Sequence, residues 1–180
     1  MDTQERDTTP YPNIPNVLES DSREFRDTGV PSTVAILGHP IHPILVQFPV
    51  AFLVGATLSD VIYWFVRDTF WATAAYWLIL GGFVAGLAAA LTGMLDFLRI
   101  ERVRKRTAGW AHMVLNIIVM VLTLVNLVIR WNDHISPVLP WGIIISLIAA
   151  TALGISGWYG GELVYRHKIS VIGNGNPNYP

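Results

Sequence analysis

The chain has 180 residues, of which 52% are hydrophobic and only 14% charged, with a formal net charge of −1 and a mean hydropathy of +0.45. Soluble domains carry about 25% charged residues, so a water-facing globule and a basic nucleic-acid binder are both excluded as readings. The chain has no cysteine, which rules out disulfides, thiolate metal ligands, covalent c-type haem attachment and cysteine-held iron–sulfur clusters.

Residues 1–36 are polar and acidic and bear Pro10, Pro12, Pro15 and Pro31. They lack the apolar stretch of a secretory signal and read as a flexible N-terminal tail. Residues 37–171 form the membrane domain, and residues 172–180, rich in Gly, Asn and Pro, form a C-terminal tail. Within the domain, Ile44–Phe65, Ala72–Leu98, Trp110–Ile129 and Val138–Gly160 are apolar runs. Each is near or above the roughly 20 residues that cross a bilayer. None carries the charged outer face of a soluble bundle helix. The expected fold is all-α: a polytopic integral membrane four-helix bundle with both termini on one side.

The loop after the second run holds Arg99, Arg102, Arg104, Lys105 and Arg106 against Glu101, while the opposite side has Arg67 and Arg130. By the positive-inside rule, both tails and this loop face the cytoplasm. That rule predicts a multi-pass protein with both tails on the cytoplasmic side of its membrane. Trp64, Trp71, Trp110, Trp131, Trp141 and Trp158 fall at run ends, as an interfacial belt does.

Alternating span direction then gathers His39, His42, Asp96, His112 and Glu162 at the cytoplasmic end. Asp60 and Arg130 meet at matching depth at the other, where they are expected to form an ion pair. Along each helix, His42, Pro49, Leu53, Ala56 and Asp60 share one face of the first. Gly82, Gly86, Ala89, Gly93 and Asp96 make a small-residue stripe on the second. His112, Asn116, Thr123, Asn126 and Arg130 make a polar stripe on the third. Lipid cannot satisfy such groups, so this stripe should face inward. On the fourth, Ser146, Ala150, Gly154, Gly157 and Gly161 are the expected packing seam, with Glu162 off it. Pro49 frees the carbonyl of Leu45 and predicts a kink in the first span.

Neutral imidazoles at similar depth on two helices can ligate a b-type haem. His42 and His112 meet that condition, with Asp96 or Glu162 available to orient a ring and His39 as the alternative inward imidazole. The same groups, His39, His42, His112 and Asp96, could instead hold a divalent transition metal, since nitrogen and carboxylate donors suit zinc, iron, copper or manganese. Ahead of the metal site, the runner-up to haem is a polar cluster that binds no cofactor and packs helices in a structural or assembly subunit. The stripe from His112 to Arg130 also offers an ion or proton path, which four spans without an internal repeat argue against. The haem reading implies partners in the bilayer plane or a docking redox protein. None of these readings identifies a catalytic residue.

Four segments resemble a known family: Gly38-His-Pro-Ile-His-Pro-Ile-Leu-Val-Gln-Phe-Pro49, Thr92-Gly93-x-x-Asp96, Trp110-x-His112-x-x-x-Asn116 and Gly157-Trp-Tyr-Gly-Gly-Glu-Leu-Val-Tyr-Arg-His167. They look like a widespread bacterial family of four-span membrane proteins known as a domain of unknown function. The resemblance runs from about Leu37 to Val171 and implies the four-helix fold. Similar domains joined to c-type cytochrome modules imply, by association, a redox role.

Overall fold

A computed structural model describes residues 28–171; most of the N-terminal tail and the whole C-terminal tail of the sequence reading lie outside these residues. The described chain begins with a hairpin of two-residue strands, β1 (Ala35–Ile36) and β2 (His39–Pro40), paired Ala35 to Pro40 and Ile36 to His39. It continues as α1 (Ile41–Leu45), α2 (Gln47–Val66), α3 (Thr69–Arg99), the short α4 (Glu101–Arg104), α5 (Thr107–Ile129), a 3-10 turn at Ser136–Val138 and α6 (Trp141–Tyr165). Four helical stretches, Ile41–Val66, Thr69–Arg99, Thr107–Ile129 and Trp141–Tyr165, are long and apolar enough to cross a membrane.

The helix ends have local causes. α1 and α2 are separated at Val46, where Pro49 cannot donate to the carbonyl four residues back. α2 closes on Arg67 in a left-handed conformation at φ 57°. α3 opens on Asp68, whose side chain accepts from the Phe70 amide at 2.9 Å, satisfying one of the donors a helix start leaves free. The fourth helix begins at Trp141 and ends at Tyr165, later at both ends than the predicted run from Val138. Val138 instead closes the 3-10 turn.

Packing makes a ring: α2 against α3, α3 against α5, α5 against α6, and α6 back against α2. Outward faces carry Val54, Leu58, Trp77, Leu91, Val121, Leu124, Ile148 and Ile155, all exposed. Apolar surface on that scale is far beyond what water-facing proteins show and identifies lipid as the solvent.

The inward faces of α2, α3 and α5 follow the predicted stripes. On α3, a Cβ at Gly82 would lie 2.8 Å from Leu53 Cδ2, and one at Gly86 2.7 Å from Met120 Sδ. The seam on α6 is different from the expected one. Its buried face is Gly142, Ser146, Ala149, Ala152, Ser156 and Leu163, with Glu162 alongside. Gly154 and Gly157 look outward, with nothing within 4 Å of an added Cβ.

The folded part also starts earlier than residue 37. The Val30 amide donates to the Lys168 carbonyl at 2.9 Å and the Ser170 amide donates to the Val30 carbonyl at 2.7 Å. Val30 thereby forms a parallel bridge with Ile169 and packs on the cluster of Phe97, Ile100, Val103, Ala108 and Leu163. This cap closes one end of the bundle.

Candidate functional site

His42 is the second residue of α1, two residues past the hairpin, and its Nδ1 is 2.9 Å from the Ala89 carbonyl on α3. His112 lies in the second turn of α5, and its Nδ1 is 2.8 Å from the Ser156 carbonyl on α6. A carbonyl only accepts, so each Nδ1 carries the proton. A neutral ring then keeps its lone pair on Nε2. The two ring centroids are 6.2 Å apart and the ring planes are inclined by 86°.

Glycines make this approach possible. A Cβ at Gly93 would fall 2.6 Å from His42 Cε1, and one at Gly160 3.0 Å from His112 Cε1. Any side chain at Gly93 would push the His42 ring off the α3 backbone. Asn116, one turn below His112, donates from Nδ2 to the His112 carbonyl and to Ser156 Oγ, both at 2.8 Å. These two bonds use both amide protons, so the longer 3.2 Å approach to His112 Nε2 leaves that lone pair weakly engaged.

The remaining residues expected at this end are placed elsewhere. His39 is exposed on β2, with its Nδ1 3.1 Å from the Leu37 carbonyl, so the inward imidazole of the His-x-x-His pair is His42. Asp96 is buried but does not orient a histidine ring. It accepts from Ser32 Oγ at 2.6 Å, the Thr33 amide at 2.7 Å and Thr33 Oγ1 at 2.8 Å, tying the incoming chain to the end of α3. Glu162 is buried and pairs with Arg166 at 3.1 Å one turn on. Backbone carbonyls thus take the orienting role that the sequence reading gave to Asp96 and Glu162. The four-donor set His39, His42, His112 and Asp96 is not assembled. Among the described residues no three His, Cys, Asp or Glu side chains converge as metal ligands.

The opposite end holds a closed network. Arg130 donates from both terminal nitrogens to the two oxygens of Asp60, each at 2.7 Å, and both side chains are 0% exposed. Ser146 Oγ donates to Asp60 at 2.6 Å, and Arg130 Nε donates to Asn126 Oδ1 at 2.8 Å. Asn126 Nδ2 in turn donates to Ser146 Oγ at 2.9 Å and the Gly142 carbonyl at 3.2 Å. A Cβ at Gly142 would sit 2.5 Å from the guanidinium, so this glycine admits the arginine. His134 Nδ1 donates to the Arg130 carbonyl at 2.8 Å, and its ring stacks on Tyr76 with centroids 3.8 Å apart.

Sequence reasoning missed Ser156, Gly160 and Gly142 as partners of the histidine and the arginine. The usable signal was small residues at 142, 146, 149, 152, 156 and 160, spaced three and four apart.

A family model described as "Predicted membrane protein (DUF2231)" matches residues 38–173. No curated protein and no solved structure matches the chain.

Proposed function

The chain belongs to the DUF2231 family of predicted membrane proteins, and within that four-span frame we propose that it binds b-type haem through His42 and His112 and serves as a membrane electron-transfer component. The observation that carries this reading is the pairing of two imidazoles from different helices, each with Nδ1 committed to a carbonyl and its lone pair on Nε2, which in His112 is met, among the described residues, only by the Asn116 amide at 3.2 Å. His42 and His112, whose ring centroids are 6.2 Å apart, would hold the iron of such a group through their ring nitrogens. Metal-ligating histidines characteristically donate their other N–H to a carbonyl or carboxylate, which fixes the tautomer and raises ligand basicity.

Donor count favours haem over a bare ion. Two imidazoles leave a divalent metal short of the three or four protein ligands it takes, whereas the porphyrin brings four nitrogens of its own. Bound haem supplies a one-electron iron couple. The chain contributes the rest: the Ala89 and Ser156 carbonyls hold both rings, and Gly93 and Gly160 let the rings stand close to the α3 and α6 backbones. The charge asymmetry of the loops supports a cytoplasmic position for this end in a bacterial inner membrane. An electron partner would then be a soluble redox protein or a neighbouring membrane subunit.

The second reading is a structural or assembly subunit with no cofactor. It is favoured by the same two hydrogen bonds, which staple α1 to α3 and α5 to α6, and by a ring separation within the ordinary range of edge-to-face pairs, about 4.5–7 Å.

Oxidised and dithionite-reduced absorption spectra of the protein, purified in detergent and reconstituted with haemin, separate the two. The haem reading expects a Soret band that shifts on reduction, is lost in H42A and H112A, and is kept in H39A. A monodisperse protein that stays colourless with excess haemin, or a band that survives both H42A and H112A, overturns it. Under the structural reading those variants lower the melting temperature and change no spectrum.

A further inference from the structure

The hairpin before the first span ends in a tip with no polar side chain: Ala35, Ile36, Leu37 and Gly38 are all exposed. Leu37 is 94% exposed and Ile36 64%. Both residues of the turn have positive φ, 50° at Leu37 and 81° at Gly38, as a two-residue hairpin connection matched to strand twist requires. Glycine takes that conformation freely. In leucine the Cβ crowds the following carbonyl, and asparagine or glycine is the ordinary occupant. The chain therefore places a branched apolar side chain in an unfavourable backbone conformation, where it makes almost no contact with the other described residues. The His39 ring, donating to the Leu37 carbonyl at 3.1 Å, clips the turn in this form.

We propose that the Ile36–Leu37 tip is an interfacial anchor that enters the bilayer beside the first span. β2 runs straight into Ile41, the first residue of that span. At about 3.3 Å per residue Leu37 lies within roughly 13 Å of it, close enough for the tip to meet the headgroup region beside the span. Pro43, Ile44 and Phe48 in the opening turns of the same span are exposed as well. The exposed residues of the other connections include charged or amide side chains: Arg67 and Asp68, Glu101 and Lys105, Asn132 and Asp133. A tip bearing only apolar groups at this level fits hydrocarbon and headgroup carbonyls rather than water.

The absence of cysteine makes the test direct. L37C and I36C each place a sole thiol on the tip for a polarity-sensitive fluorophore, in full-length protein reconstituted into phosphatidylcholine–phosphatidylglycerol vesicles. F48C on the lipid face and K105C in the basic loop serve as references. The proposal expects emission at both tip positions to be blue-shifted from K105C and largely quenched by lipids brominated near the headgroup end of the acyl chain. Emission like K105C with no lipid quenching overturns it. Blue-shifted emission insensitive to brominated lipid also overturns it, because the tip is then covered by protein, a second copy included. I36C keeps the test open if L37C fails to fold, since Ile36 lies outside the strained turn.

Discussion

Removing the charge from Asp60 tests the far-end network most sharply. In D60N the side chain keeps its shape but presents one carbonyl and one amide to the guanidinium. One Arg130 nitrogen retains a partner; the other faces a donor, and its charge-assisted bond, about 1.5–3 kcal/mol, is lost. The arginine is 0% exposed, so the charge left behind cannot recruit water, and the total cost of breaking such a pair is about 3–5 kcal/mol. R130M strands the carboxylate with only the Ser146 hydroxyl and is expected to cost a similar amount. The double variant D60L/R130M removes both charges. It leaves Asn126 Oδ1 and the Ser146 hydroxyl short of one partner each, a residual cost of about 1–3 kcal/mol per group at most. Reversible unfolding in mixed micelles measures all three. Two single variants near 4 kcal/mol and a double well below their sum support a dry, mutually dependent pair. Singles below about 1 kcal/mol would place the pair in water-screened surroundings and refute the reasoning.

G142A should fold poorly or not at all, because its Cβ would stand 2.5 Å from a guanidinium fixed on three sides. G154A and G157A, with open space around the added methyl, should be neutral or gain up to about 1 kcal/mol of helix propensity; thermal melts of the three variants check this contrast. The Asp133 carboxyl lies below the usual carboxylate range, held there first by the Ser136 side chain and then by the Ile135 and Ser136 amides. A group with a lowered folded pKa contributes above its unfolded value, near 3.9, and loses that contribution as pH falls through the lowered one. Amide-exchange protection at Ile135 and Ser136 should therefore persist at pH 5 and fall only under strongly acidic conditions, whereas D133N should lack that dependence.

Much of this arrangement could be read from residue order. Hydropathy and length are enough for four spans, because a bilayer admits few alternatives. The Asp60–Arg130 pair followed from depth alone, since two opposite charges at one level in lipid have few other partners. The direction of α6 did not follow. Its glycines at 154, 157, 160 and 161 lie on several faces, and only the partner decides which one packs. Gly160 meets His112 and Gly157 meets nothing. The His39 and His42 assignment was equally hidden, because a turn through Pro40 sets it and no helical period runs across that residue. Asp96 was correctly placed inward, but its partners Ser32 and Thr33 belong to a segment whose polar composition reads as tail.

The polar stripe on α5 suggests at first a route across the membrane, and the packing divides it. His112 and Asn116 bond to Ser156 at one end; Asn126 and Arg130 bond to Ser146 and Asp60 at the other. Between them Val119, 2% exposed, packs against Leu53 and Ala152, and the Thr123 hydroxyl turns back to the Val119 carbonyl at 2.7 Å. Ions and protons need a continuous run of polar groups or water, and this layer interrupts it. At the far end Asp60, Asn126, Arg130 and Ser146 bond to one another across three helices. The helix therefore carries two separate tasks. Asn126 and Arg130 fasten the bundle at one end, and that fastening fixes the bundle that holds His112 opposite His42.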